Sequence, residues 1–214
     1  MPILCFLFFL KKCKTERLLW IIVSYELYNY LTDIGLLYLN HRPAKIFLYS
    51  SFTFFEYILF ALGLFNIIQN KKFRLFILLT SIAFSIFLLI YNLKTKVLGL
   101  DSVPIGIETI LILIFSFYYF YEQMQDTNNL FIYSRYSFWV VLGMILYLAG
   151  SFFIYIYSSQ LSQEEVNKYW VFTNIFSILK NIFFTIAIIV NANQSVKKTP
   201  KKYKLYPSNQ FIDS

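Results

Sequence analysis

Apolar runs of about 20 residues, interrupted by short clusters of charge and helix breakers, make up most of the 214-residue chain. Six runs are evident, at roughly 18–39, 46–68, 73–91, 104–122, 137–158 and 169–191. At about 1.5 Å of rise per residue each is long enough to cross a hydrocarbon core of about 30 Å. Backbone in lipid must satisfy its own hydrogen bonds, so continuous apolar runs of this length predict α-helices rather than barrel strands, which alternate every second residue. Breaker residues cluster at 40–43, 99–104, 125–129 and 160–167, where the connections are needed. The expected fold class is therefore all-α, a polytopic transmembrane helical bundle over 1–194 followed by a basic tail at 195–214.

Residues 1–10 are apolar but cover only about 15 Å, half a bilayer. Lys11, Lys12, Lys14 and Arg17 follow them, the reverse of the order in a signal peptide, where charge precedes the apolar region. This stretch reads as the inner half of a span whose outer half lies upstream of the given start, giving six full spans plus an N-terminal partial span and a seven-helix architecture. A short, partly embedded helix is the alternative.

Composition narrows the function. The chain is 58% hydrophobic and only 14% charged, and its connections are too short for a separate soluble catalytic or nucleic-acid-binding domain. The net charge of +8 lies mainly at span ends, where headgroups read it, so the expected partner is the lipid bilayer and not nucleic acid. Thirteen cations (Lys11, Lys12, Lys14, Arg17, Lys71, Lys72, Arg74, Arg135, Lys197, Lys198, Lys201, Lys202 and Lys204) fall on one set of alternate ends. Five (Arg42, Lys45, Lys94, Lys96 and Lys168) fall on the other. The positive-inside rule then puts the N-terminus outside and the C-terminus in the cytoplasm of an inner-membrane protein. The tail, with Pro200 and Pro207 and no helical period, reads as disordered. Two cysteines without C-x-x-C spacing and the single His41 cannot assemble a multi-histidine zinc site, so no metal, cofactor or catalytic residue is assigned.

Chemistry concentrates inside the spans, where a charge costs about 2.5–3.5 kcal/mol and is expected to face the bundle interior. Glu26, Asn29, Tyr30 and Asp33 are spaced i, i+3, i+4, i+7, which predicts one polar helical face. Asn174, Ser177, Lys180, Asn181 and Thr185 share a broad face of the last span, Glu56 lies midway along the second full span, and Glu108 lies near the start of the fourth. Similar depth makes Glu56 and Lys180 the expected ion pair, with Glu26 competing for the ammonium. Together Glu26, Asn29, Tyr30, Asp33, Glu56, Glu108, Asn174, Lys180 and Asn181 form a candidate ligand or proton site. The same residues equally suit a buried polar network that fixes helix register. Gly143, Gly150 and Ser151 predict one close helix contact.

Pro2 in an apolar half-span, Lys11-Lys12, Glu56 in an aromatic span, Ile107-Glu108, Phe138-Trp139, Tyr147, Gly150 and the run from Ile175 through Lys180-Asn181-Ile182-Phe183 resemble a group of uncharacterised seven-helix membrane proteins of Bacteroidota type. The resemblance covers most of the chain and implies a seven-helix fold and association with signalling partners, without an activity. A lysine in the last helix and a carboxylate in the third also resemble retinal proteins, but these carry Asp four residues before the lysine, where this chain has Phe176. The expected function is a small sensor or signalling component that binds a small or lipidic ligand within the bundle and engages a cytoplasmic signalling partner. A proton-coupled transporter is the alternative, lowered by the absence of internal repeats and paired broken helices. A lipid-modifying enzyme ranks third, for want of a motif.

Overall fold

The computed structural model describes residues 1–10, 16–39, 41–94, 102–125, 131–157 and 163–197. Among these are seven α-helices, one short 3-10 turn and no strand: α1 (Pro2–Phe9), α2 (Arg17–Tyr38), α3 (Arg42–Ile67), α4 (Lys71–Lys94), α5 (Ser102–Gln125), α6 (Tyr136–Tyr157) and α7 (Gln163–Lys197). The all-α expectation holds. Among the described residues five helical segments are long and apolar enough to cross a membrane: Phe47–Ile67, Lys71–Lys94, Val103–Gln125, Tyr136–Ile154 and Lys168–Gln194. By that measure α2 is not among them, because Glu26, Asn29 and Asp33 lower its mean hydropathy.

Local sequence explains several boundaries. Pro2 and Pro43 sit in the first turns of α1 and α3, where the missing N–H costs nothing. Asn70 caps α4, its Oδ1 accepting from the backbone N–H of Lys72 at 2.9 Å and of Phe73 at 3.4 Å. Glu122 of α5 holds the same turn by accepting from the backbone N–H groups of Gln69 and Asn70 at 2.9 and 2.8 Å. The last helix is longer than the apolar run 169–191 suggested. Its 35 residues correspond to roughly 52 Å and take in the first three residues assigned from sequence to the tail. The rest of that tail, 198–214, and the connections at 11–15, 95–101, 126–130 and 158–162 lie outside the described residues.

Burial against lipid-like side chains supplies little drive for helix association, so close approach and tight packing must supply it. The α6–α7 pair is the most intimate. A methyl group at Gly143 would come within 3.1 Å of the Phe183 Cβ, and one at Gly150 would overlap the Phe176 ring. Both glycines therefore make room for phenylalanine side chains of α7, in the close helix contact that their spacing suggested. Helix α3 packs against α2, α5 and α4, while α1 lies on α7 and α2 with Phe6 set edge-on to Trp20 at 5.1 Å. Helix α4 is peripheral and presents many apolar side chains outward.

Candidate functional site

Lys180 is the structural centre of the polar interior. Its side chain is fully buried at 0% exposure, yet it carries an ammonium group. Burial of that kind demands partners on every side. The Nζ pairs with Glu26 Oε1 of α2 at 3.5 Å and donates to the Tyr25 hydroxyl at 2.8 Å. It also stands over the rings of Tyr25 and Tyr147 at 4.4 and 4.5 Å from their centroids. Aromatic faces thus complete a shell that oxygen ligands leave open.

The expected direct Glu56–Lys180 ion pair is not formed. Glu26, the competing partner, takes the ammonium, and Glu56 of α3 is reached through Tyr25, whose hydroxyl donates to Glu56 Oε1 at 2.7 Å while accepting from Lys180. The order is ammonium, phenol, carboxylate, spread over three helices. Tyr25 was missing from the sequence-based candidate set. A signal existed: Tyr25, Tyr28, Asn29 and Thr32 also have i, i+3, i+4, i+7 spacing, so the polar face of α2 is centred between two overlapping stripes. Asn181, adjacent to Lys180, sets its side-chain amide against Glu26, and assigning the nitrogen to that side, the orientation in which both groups are satisfied, makes it a donor to the two carboxylate oxygens at 2.9 and 3.0 Å. Glu26 is therefore held by two successive residues of α7.

The remaining candidates separate into three groups. Tyr30 is 60% exposed and stands outside the site. Glu108 of α5 is buried at 1% exposure with no partner for its Oε1, and its electrostatic neighbours are Glu56 and Tyr57 rather than Lys180. Asn29, Asp33 and Asn174 come together elsewhere, on the wall of a cleft of about 160 Å³. Thr32 and Leu36 of α2, Tyr49 and Phe52 of α3, Tyr147 of α6, and Trp170, Thr173 and Ser177 of α7 complete the lining. The cleft lies in the half of the bundle where α2 ends and α3 and α7 begin. Tyr147 belongs to both places, lining the cleft and facing the Lys180 ammonium. The set foreseen as one site is a buried charge cluster and a separate polar cleft that share Tyr147.

Chemically, the cluster is a poor place for a metal or a nucleophile. Among the described residues no group of three His, Cys, Asp or Glu could hold a metal ion. Lys180 is engaged by oxygen and π-faces, which leaves its amine no open approach. The cleft is better suited to bind than to react, with hydroxyls, amides and one carboxylate set among aromatic rings. Comparison with known proteins finds no match: no family model, no curated protein and no solved structure is similar to the chain.

Proposed function

We propose that this is an inner-membrane protein of seven helices that works as a small sensor or signalling component, binding a small or lipidic ligand within the bundle and passing a helix shift to a cytoplasmic partner. The carrying observation is the shared Tyr147. A molecule in the cleft would contact α2, α3, α6 and α7 together and press on the ring that faces Lys180. Lys180 and Asn181 in turn hold α7 to α2 through Glu26. A ligand that favours one setting of this contact shifts α7 by its difference in affinity for the two settings.

Six full spans follow if α2 crosses with the five apolar segments. Its polar stripe lowers hydropathy and faces protein in part: Tyr25, Glu26 and Thr32 are buried and Asn29 is half-buried, while Tyr30 and Asp33 are exposed. The charge asymmetry orients the bundle with the N-terminus outside, which turns the cleft outward and brings the α7 end at Lys197 to the cytoplasm. The resemblance to seven-helix proteins of Bacteroidota type agrees with this arrangement.

Purification with native lipids, followed by mass spectrometry of co-purifying small molecules, tests the proposal. A specific molecule should accompany the wild-type protein and be lost from Ser177→Leu, which fills the cleft. A chemically converted lipid would favour an enzyme instead. Reconstituted vesicles with proton-coupled flux dependent on Glu56, and no bound molecule, would replace the sensor with a carrier.

A further inference from the structure

We infer that the cleft between α2, α3 and α7 takes a small organic ammonium ion, an inference that rests on the ligand-binding reading above and names its chemical class. Charge balance comes first. Glu26, Glu56 and Asp33 share the neighbourhood of one ammonium, and Lys180 is committed to Glu26 and, through Tyr25, to Glu56. Asp33, exposed at the cleft, has no hydrogen bond or ion pair among the described residues. A carboxylate in that position gives the cleft a negative potential that favours a cation over an anion.

Thr173 is the second, independent observation. Helical threonines normally return the hydroxyl to a carbonyl one turn earlier, and Thr32, Thr53, Thr80 and Thr185 do so here at 2.8–3.3 Å. Thr173 does not: it is 5% exposed, its Oγ1 has no partner, and it lines the cleft. A buried hydroxyl left unpaired is costly, and a ligand group would satisfy it. Trp170 adds an aromatic side chain to the lining, and aromatic rings attract ammonium ions and leave anions unrewarded, while the Tyr147 ring already faces Lys180. The volume of about 160 Å³ is close to the roughly 150 Å³ that accepts benzene in an engineered cavity, which limits the enclosed part of a ligand to about eight non-hydrogen atoms. An amino alcohol or a small quaternary ammonium fits charge, polarity and size together.

Isothermal titration of the full chain in lipid nanodiscs tests this with choline, ethanolamine, acetate and 3,3-dimethyl-1-butanol, the uncharged isostere of choline. At least one ammonium probe should bind saturably, and choline should outcompete its isostere by about tenfold or more. Asp33→Asn should weaken binding by about ten- to a hundredfold, Asp33→Glu should retain part of it, and Thr173→Val should cost about two- to tenfold. Equal affinity for choline and its isostere, preference for acetate, or full binding by Asp33→Asn would overturn the inference. So would no binding of either ammonium probe by the wild type. If a neutral or anionic molecule then co-purifies and is lost in Ser177→Leu, the ligand-binding reading stands while the ammonium assignment falls. If nothing co-purifies and no probe binds, both fall.

Discussion

Removing one oxygen atom should expose how the buried charges are held. In Tyr25→Phe the ring stays, and with it the cation–π contact to Lys180 at 4.4 Å, while the hydroxyl that accepts from Lys180 and donates to Glu56 disappears. Two hydrogen bonds to charged groups would be worth about 3–6 kcal/mol together in water-soluble proteins. Interhelical polar contacts in membranes average nearer 0.6 kcal/mol each, because the separated helices also find partners. Lys180 keeps Glu26, but Glu56 loses its link to the ammonium at full burial, so we expect a loss of about 1–4 kcal/mol. At about 2–4 °C per kcal/mol for a domain of this size, thermal unfolding in detergent should fall by roughly 2–16 °C. A cycle with Glu56→Gln isolates the relay, since Tyr25→Phe should cost at least about 0.5 kcal/mol less when the carboxylate is already absent. An unchanged midpoint, or strict additivity in the cycle, would refute the claim that the phenol connects the two charges.

Lys180→Met should destabilise by about 3–5 kcal/mol by stranding buried carboxylates, and Glu26→Gln in the same chain should return part of that loss, read by thermal unfolding. Gly150→Ala should cost about 1–3 kcal/mol because its methyl overlaps the Phe176 ring, and Phe176→Leu beside it should recover stability; no recovery would place the strain elsewhere. Glu122→Ala should speed hydrogen exchange at the amides of Gln69 and Asn70 by about tenfold while leaving amides within α6 unchanged. Reporter fusions at Ser214 and within 160–167 check orientation: a cytoplasm-dependent enzyme should work at the first position and fail at the second.

The helices were legible because lipid imposes a length and a composition that little else in a sequence imitates. Charge clusters and breakers marked their ends to within a few residues, and α7 was underestimated because its polar ends, 163–168 and 191–197, lack the apolar signal. Part of the charge cluster was legible in the sequence, and its pairing was not. Period and depth brought Glu26, Glu56, Lys180 and Asn181 to one interior, but the rotation of each helix about its axis is set by its neighbours. That rotation gave the ammonium to Glu26 and turned Tyr30 outward. Tyr25 was hidden by its own ambiguity, since among 18 tyrosines nothing local separates a packing ring from a bridging hydroxyl. Thr173 could be found only by noticing the hydrogen bond it does not make.

Peripheral α4 meets α3 through the Tyr57–Ser81 hydroxyl contact at 3.0 Å and the Asn92–Ser50 hydrogen bond at 2.7 Å, and Arg74 covers Phe65 at 4.2 Å. Between Tyr57 and Phe65 the two helices part around an apolar fissure of about 360 Å³, bounded by residues such as Ala61, Leu62, Ile82 and Ile86. In a bilayer, acyl chains are the solvent of such a space, and what fills it depends on how those chains pack. Straight chains and kinked ones would press differently on the same two walls. One wall begins at Ile58, two residues after Glu56, and Ser81 of the other contacts the Tyr57 hydroxyl, so the space open to acyl chains lies one helical turn from the ionic centre.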